Sequence, residues 1–217
     1  MPLIFQKYYE DVDCTVGIWE RDENEDYLKG TMDLTEAQHK FIDSMKPFRR
    51  KEWLCSRKLL QELLPDQNTS LYKDNFGKPF LENSPYFISL SHSQNRAAAI
   101  VSKKLVGIDI QAQEDKISRI YPKFISDQEQ SALDKDHLVD SYHIFWSAKE
   151  AMYKAYGLKS LDFRRHMHLY AFDYFNTELE LAGFVKKSDL VQDYDIFANK
   201  FDNFYLVFAV LNSSQKS

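Results

Sequence analysis

The chain lacks the features that mark secreted and membrane-spanning proteins. Its 217 residues include two cysteines, Cys14 and Cys55, too few for a disulfide framework or a cysteine-rich zinc site. No apolar run reaches the roughly 18 residues of a membrane-spanning helix. The first residues, MPLIFQKYYEDVD, lack the basic start and long apolar stretch of a signal peptide. We therefore expect a cytoplasmic protein with two buried thiols and no membrane contact.

Basic charge is also scarce. The 28 Lys and Arg residues are outnumbered by 33 Asp and Glu residues, which gives a net charge of −5. This balance argues against a general nucleic-acid binder. Residues 46–58 (KPFRRKEWLCSRK) differ from the acidic average of the chain, because they are rich in Lys and Arg and contain a single acid, Glu52. An acidic protein with one basic segment is suited to a small polyphosphate ligand.

Apolar periodicity predicts helices that proline, glycine and serine residues delimit. The predicted helices cover residues 41–64, part of 117–133, and 141–156. Pro65 ends the first helix, and Pro47 begins or kinks its main body. Ser126 or Asp127 is the expected cap of the second helix, and Gly157 ends the third.

Alternating apolar runs predict strands in both parts of the chain. They cover residues 86–90, 97–101, 105–110, 167–175, 178–185, 192–199 and 204–211. Because Lys103 and Lys104 form a short turn, the second and third of these strands are expected to pair as a hairpin. The order of helices and strands predicts an α+β fold with two halves that meet near residues 105–112.

The strand segment VGIDIQ, residues 106–111, carries one acid among apolar residues. Alternation places its three β-branched residues on one face and Gly107, Asp109 and Gln111 on the other. A carboxylate in such a strand is unfavourable to bury without a partner. Asp109 is therefore either a hard oxygen ligand for Mg²⁺ or a residue at the solvated end of the strand. Taken alone, the segment favours the second interpretation.

The helix segment WSAKEAMYKAYG places Glu150 and Lys154 four residues apart, and hence on one face. A glutamate followed by a lysine at this spacing is the commonest surface pair, so by itself it is ordinary. The alanines of the segment indicate close packing on the opposite side of the helix.

Two further groups of residues suit phosphate. The run SLSHS at 89–93 offers hydroxyls and an imidazole after a strand, although a serine-rich turn capped by its own side chains explains it equally well. No Gly-x-Ser-x-Gly elbow is present, which argues against a serine hydrolase. Arg50 and Arg57 lie two helical turns apart, and Lys78 follows within Gly-Lys-Pro. Guanidinium groups suit phosphate, but a solvated basic face explains each residue alone.

Taken in order, the segments KEWLCSRK, GKP, SLSHS, GIDI and WSAKEAMYKAYG form a pattern. Their order and spacing resemble the 4′-phosphopantetheinyl transferase superfamily, and more narrowly its larger single-chain, surfactin-type class. The motifs cover residues 46–160, and the last two are the most specific as a pair. The resemblance implies two pseudo-symmetric α+β subdomains, residues 1–105 and 106–217. Each would be a small antiparallel sheet packed with helices, with the active site in the cleft between them.

The resemblance also implies a reaction and roles for residues. Relatives transfer the phosphopantetheine arm of coenzyme A to a serine of an acyl or peptidyl carrier protein. The reaction depends on Mg²⁺ and releases adenosine 3′,5′-bisphosphate. Asp109, Glu150 and Lys154 would be catalytic, with the two carboxylates on Mg²⁺ and Lys154 at the transferred phosphate. The other implied ligands of coenzyme A are Arg50, Arg57, Lys78, Ser91, His92 and Gln111.

Gln111 departs from the pattern, because many relatives carry an acid two residues after the aspartate. A water on the metal can replace the missing carboxylate, so we expect activity, with Gln111 orienting that water or bonding to phosphate. One alternative is a catalytically degenerate module that binds coenzyme A or a nucleotide. Another is a metal-dependent phosphohydrolase, a class that usually needs more acidic ligands.

The implied partner is a carrier protein, a class that is typically acidic. Lys116, Arg119 and Lys123 are candidates for a basic docking surface on this chain. The segment FISDQE, residues 124–129, is similar to the family's Phe-Ser-x-x-Glu segment, which lies near that interface. We expect a monomer that contacts neither nucleic acid nor membrane.

Overall fold

The computed structural model describes residues 2–65, 70–131, 133–172, 174 and 178–212. Antiparallel sheets packed with helices make up this part of the chain, which confirms the predicted α+β class. The strands are β1 (Leu3–Tyr9), β2 (Cys14–Glu20), β3 (Leu71–Lys73), β4 (Pro79–Leu81), β5 (Phe87–Ser93), β6 (Arg96–Ser102), β7 (Val106–Ala112), β8 (Met167–Leu169), β9 (Glu178–Lys187), β10 (Leu190–Phe201) and β11 (Phe204–Leu211). The helices are α1 (Glu25–Gly30), α2 (Glu36–Asp43), α3 (Pro47–Leu63), α4 (Ile117–Ile120), α5 (Asp127–Gln130) and α6 (Leu138–Tyr156).

Two antiparallel sheets share a central apolar core. The first has the strand order β1-β2-β6-β5 and the second β7-β11-β10-β9-β8. Ile18 and Ile100 of the first sheet pack in this core with Ile108 and Phe208 of the second. Helix α3 covers the other face of the first sheet, and α6 covers the other face of the second. Strands β3 and β4 form a separate small hairpin.

The predicted hairpin between the strands at 97–101 and 105–110 is wrong. β6 pairs with β2 and β5 in the first sheet, whereas β7 pairs with β11 at the edge of the second. A short turn is typical of hairpins, but both edges of β6 are already paired, so β7 begins the second sheet. Lys103 and Lys104 lie where the chain passes between sheets. The predicted subdomain boundary at residue 105 lies in this link, and the division into subdomains stays a prediction.

The long helix predicted over residues 41–64 is two helices. α2 ends at Asp43, and α3 begins with Pro47 at its first helical position, where the missing N–H is not needed. α6 begins at Leu138, a few residues before the predicted start, and ends at Tyr156, where Gly157 caps it with φ of 74°. Of the strand predicted over 167–175, β8 forms its first three residues, and residues 173 and 175 lie outside the described residues.

Two other predictions are confirmed. Ser126 is the N-cap of α5: its side chain accepts from Glu129 N, while the Glu129 carboxylate accepts from Ser126 N. Cys14 and Cys55 are free and buried. In the described residues no helix has the length and apolar character needed to cross a membrane.

The alternation predicted along β7 is also confirmed. Ile108 and its neighbours on the same face enter the central core, while Gly107 faces α6. A Cβ added to Gly107 would lie 1.9 Å from the carbonyl oxygen of Ala151 and 2.6 Å from the nitrogen of Ala155. The backbone of α6 therefore lies directly on the backbone of β7, and Asp109, two residues along the strand, faces the same helix.

We expect Gly107→Ala to destabilise the protein strongly, because the added methyl group would meet backbone atoms that cannot move independently. The loss in free energy of unfolding should reach or exceed the upper end of the about 1–3 kcal/mol typical of overpacking. Urea denaturation measures it. Gly30→Ala is the matched control, since nothing lies within 4 Å of its added Cβ. Equal stability of the two variants would contradict the proposed close approach.

Candidate active site

Asp109 lies on β7 where the two sheets meet, and it is 6% exposed. Its Oδ1 accepts hydrogen bonds from Ser91 Oγ on β5 and from Lys154 Nζ on α6, both at 2.9 Å. Its Oδ2 is buried and has no hydrogen-bond partner among the described residues. A buried carboxylate oxygen without a partner is unfavourable unless a cation or a donor satisfies it.

Lys154 links α6 to the strands. Besides Asp109, its Nζ donates to Ser91 Oγ at 3.0 Å and to the carbonyl oxygen of Ile108 at 2.8 Å. An ammonium group has three donors, and these three bonds use all of them. Lys154 is therefore held beside Asp109, and contact with a ligand phosphate would exchange one of these bonds.

Glu150 lies one helical turn before Lys154 on α6 and is half-buried. Burial raises the pKa of its carboxyl group, and the negative charge of Asp109 raises this pKa further, while Lys154 opposes the shift. The carboxylate of Asp109 thus lies near enough to Glu150 to act on it electrostatically. Of the three residues predicted to be catalytic, Asp109 and Lys154 are in direct contact, and Glu150 lies one helical turn before Lys154.

These two carboxylates fit a hard divalent cation. Mg²⁺ is commonly held by one or two carboxylates together with substrate phosphates and waters, and Asp109 Oδ2 is a buried oxygen that still needs a partner. Across the described ranges there is no group of three or more His, Cys, Asp or Glu side chains suited to hold a metal. Asp109 and Glu150 are the residues that would hold Mg²⁺ if it binds here, and this assignment stays a prediction.

A cleft of about 830 Å³ opens between α3, the β3–β4 hairpin and β5, and it reaches Lys154. Clefts of roughly 300–1,000 Å³ are typical of small-molecule sites. Its charged lining is mainly cationic, with Glu52 as the acid. The basic side chains are Lys46, Arg49, Arg57, Lys73 and Lys154, accompanied by His92. The cleft is therefore suited to an anionic ligand whose charge is spread over several groups.

The two arginines predicted to bind phosphate are placed differently. Arg57 lines the cleft, stacks over Trp53 at 4.7 Å from the ring centroid, and forms no ion pair with any described residue. Burial lowers its pKa to about 10, so the guanidinium keeps its charge at neutral pH. Arg50 does not line the cleft and donates to Glu25 Oε2 at 2.5 Å. Arg49 faces the cleft instead.

His92 and Lys78 also differ in their positions. His92 lines the cleft, and its Nε2 lies 3.3 Å from the buried carboxylate of Glu52. Lys78 Nζ donates to the carbonyl oxygen of Ala155 at 2.6 Å, at the end of α6, and burial lowers its pKa to about 8. A Cβ added to Gly157 would lie 2.7 Å from Lys78 Cδ. Lys78 therefore joins the β3–β4 hairpin to the helix, and its contact with coenzyme A stays a prediction.

Gln111 lines a separate pocket of about 130 Å³, further along β7 than Asp109. Its other lining residues include Glu114, His143 and Trp146. The backbone N–H of Glu114 donates to His143 Nε2 at 3.1 Å, which fixes one wall of the pocket. The roles predicted for Gln111, on a water or on phosphate, stay predictions.

Lys149, the neighbour of Glu150, is a residue that sequence analysis missed. It is fully buried, and its Nζ donates to Glu129 Oε2 at 2.8 Å and to the carbonyl oxygen of Phe124 at 2.6 Å. This buried ion pair anchors the FISDQE segment to α6. A signal was present in the sequence, because Lys149 lies four residues after Phe145 and three before Met152, which places it beside apolar residues of the predicted helix.

Comparison with known proteins tests the resemblance predicted from the motifs. The model of the 4′-phosphopantetheinyl transferase superfamily matches residues 105–200. The matched segment contains Asp109, Glu150 and Lys154, and it begins after the strand that carries Ser91. The resemblance predicted from the motifs is therefore confirmed for the part of the chain that supplies the two carboxylates.

A particular relative is the 4′-phosphopantetheinyl transferase gsp of Aneurinibacillus migulanus. It is 31% identical to this chain over 110 residues, which cover 49% of this chain and 46% of the relative. The matched region thus spans about half the length of the curated relative. The similarity to a protein of this name confirms the predicted resemblance to phosphopantetheinyl transferases.

We expect Arg57→Gln to weaken the binding of coenzyme A. A hydrogen bond to a charged group contributes about 1.5–3 kcal/mol, which corresponds to about tenfold or more in affinity. Arg50→Gln should change the affinity less than about twofold, because Arg50 pairs with Glu25 outside the cleft. Titration calorimetry on both folded variants measures the difference. A larger loss in Arg50→Gln would contradict this placement of the two arginines.

Proposed function

We propose that this protein transfers the 4′-phosphopantetheine arm of coenzyme A to a serine hydroxyl of an acyl or peptidyl carrier protein. The observation that carries the proposal is the position of Lys154, which lines a cationic cleft, pairs with Asp109, and lies one helical turn after Glu150. The superfamily match over residues 105–200, which contain all three residues, supports it.

The cleft supports coenzyme A as the donor. Coenzyme A carries a pyrophosphate and a 3′-phosphate, so its negative charge is spread along the molecule. Arg57 offers a half-buried guanidinium without a carboxylate partner among the described residues, and guanidinium groups bind phosphate in a bidentate way. Lys154, also in the cleft lining, would be at the end nearest the reacting phosphate.

The proposed reaction is attack of the serine oxygen on the β-phosphorus of coenzyme A. A P–O bond to serine forms, and the bond between this phosphorus and the bridging oxygen breaks. Adenosine 3′,5′-bisphosphate leaves with the electron pair, and the hydroxyl proton passes to a base. Such a reaction depends mainly on positioning and on neutralising charge.

Glu150 is the proposed base. Its carboxylate lies one helical turn from Lys154, and a carboxylate within reach of the serine hydroxyl can accept its proton. Lys154 offsets the negative charge that develops on the leaving oxygen. Asp109 and Glu150 would hold Mg²⁺, which when bound neutralises charge on the pyrophosphate.

A module that binds coenzyme A without transferring its arm is the second candidate. Gln111 favours it, because the residue stands where many relatives carry an acid. The two candidates differ in one product, since only the transferase modifies a carrier protein.

We expect an apo-carrier protein incubated with this protein, Mg²⁺ and coenzyme A to gain about 340 Da by mass spectrometry. Glu150→Gln should slow the transfer by at least about 100-fold, because it removes the base and a carboxylate. Glu36→Gln, which alters an exposed helix residue paired with Lys40, is the control. Binding of coenzyme A without any mass gain would favour the second candidate. Near-normal transfer by Glu150→Gln at saturating Mg²⁺ would exclude Glu150 as the base.

The proposed docking surface for the carrier protein consists of Lys116, Arg119 and Lys123. All three side chains are exposed, and Lys116 pairs with Glu114. They lie close in sequence to Ile117 and Ile120, which line the pocket that also contains Gln111. An acidic partner would be attracted to this surface, and exposed charges of this kind are screened by salt.

We expect higher salt to raise KM for an acidic carrier protein several-fold while kcat changes less. Replacing Lys116, Arg119 and Lys123 together by glutamine should raise KM at low salt and remove most of this salt dependence. The control variant carries Lys40→Gln and Lys186→Gln, two exposed lysines on other elements. Steady-state kinetics at several salt concentrations tests this. If KM of the unmodified protein does not change with salt concentration, the result would count against the proposed docking surface.

A further inference from the structure

The edge strands β5 and β7 lie side by side where the two sheets meet, yet they belong to different sheets. Serine side chains join them. The hydroxyl oxygens of Ser89, Ser91 and Ser93 accept hydrogen bonds from the backbone N–H groups of Ile108 (3.1 Å), Ile110 (3.2 Å) and Ala112 (3.0 Å), respectively. From one bonded pair to the next, the residue number increases by two in both strands, so the two strands run parallel. Alternate side chains of β5 point towards β7.

We call these three contacts the serine ladder: Ser89, Ser91 and Ser93 with their three backbone partners. In an ordinary sheet, backbone carbonyl oxygens of the neighbouring strand would accept these hydrogen bonds, whereas here the serine hydroxyls accept them. Edge N–H groups that are buried need acceptors, and the hydroxyls supply them. The ladder also fixes which residue of β7 lies opposite which residue of β5. Ser91 therefore lies next to Asp109 because of the register of the two strands.

Ser91 has a second set of contacts that the other two serines lack. A hydroxyl group offers one donor and two acceptor positions. Ser91 Oγ donates to Asp109 Oδ1, accepts from Ile110 N, and accepts from Lys154 Nζ. All of its hydrogen-bonding positions are used inside the protein, so contact with a phosphate in the cleft, which Ser91 also lines, would exchange one of these bonds.

We propose that Ser91 is a positioning residue, which orients Asp109 and Lys154 through its hydroxyl group. What the oriented groups do rests on the proposed function. Ser91 and Lys154 engage Asp109 Oδ1, and so leave Oδ2 as the oxygen available to a cation. Ser91 also lines the cleft, and the phosphate-binding role that the family resemblance implies for it stays a prediction.

The test compares Ser91→Ala with Ser93→Ala. Each variant loses one acceptor for a backbone N–H of β7, but only Ser91→Ala also loses contact with Asp109 and Lys154. The difference between the two variants therefore isolates these contacts from the ladder. Ser91→Thr keeps the hydroxyl in a residue suited to strands, and it should restore most of the lost function.

Two binding measurements need no turnover. Adenosine 3′,5′-bisphosphate without metal is titrated by calorimetry, and Mn²⁺ in the presence of this nucleotide is followed by electron paramagnetic resonance. We expect Ser91→Ala to bind the nucleotide within about twofold of the unmodified protein, and to bind Mn²⁺ about 10–100-fold more weakly, as is typical when a partner of a metal ligand is removed. In transfer assays, kcat should fall and the Mg²⁺ requirement rise, with KM for coenzyme A little changed.

The opposite pattern would overturn the inference: weaker nucleotide binding without metal, a higher KM for coenzyme A, and an unchanged Mn²⁺ affinity. Equal Mn²⁺ affinities in Ser91→Ala and Ser93→Ala would also overturn it. If Ser91→Ala does not fold, Ser91→Cys replaces it, because a thiol hydrogen-bonds weakly. The same measurements then apply: weaker Mn²⁺ binding supports the inference, and unchanged Mn²⁺ binding overturns it. If the unmodified protein modifies no carrier but loses Mn²⁺ affinity on Ser91→Ala, the proposed function fails while the positioning role stands.

Discussion

The close contact of α6 with β7 at Gly107 is the constraint on which the candidate site depends. A Cβ at this position would lie 1.9 Å from a backbone oxygen of the helix, so only glycine allows the two backbones to approach this closely. At a larger separation, Lys154 Nζ could not reach both Asp109 Oδ1 and the carbonyl oxygen of Ile108. The glycine of the GIDI motif therefore has a role as specific as that of its aspartate.

Opposite charges are separated along the site in a way that suits the proposed chemistry. The cleft beside α3 is cationic, and its lining residue Lys154 pairs with Asp109 and lies one helical turn after Glu150. A polyphosphate in the cleft would meet basic side chains along its length, and under the proposed function one of its phosphates would lie at the proposed cation site. The serine ladder holds this arrangement across two sheets that share no backbone hydrogen bonds at the junction of β5 and β7.

Local patterns predicted the features that depend on local physics. The alternation of β7, the Ser126 cap and the glycine at the end of α6 are set by neighbouring residues, and all were predictable. The pairing of β7 with β11 depends on residues about a hundred positions away, so a short turn suggested the wrong hairpin. Arg50 and Arg57 have the right helical spacing, but Glu25 of another helix pairs with Arg50. Strands β1 and β2 were not predicted, and the buried pairing of Lys149 with Glu129 required knowledge of how α5 packs on α6.

The central claim is that Asp109 and Glu150 hold one divalent cation at the end of the cleft. A crystal structure of the protein with coenzyme A and Mn²⁺, with anomalous diffraction data collected at the manganese edge, tests it most directly. We expect one anomalous peak within coordination distance of Asp109 Oδ2, the Glu150 carboxylate and the pyrophosphate. A peak elsewhere, or bound coenzyme A with its pyrophosphate away from both carboxylates, would contradict the account.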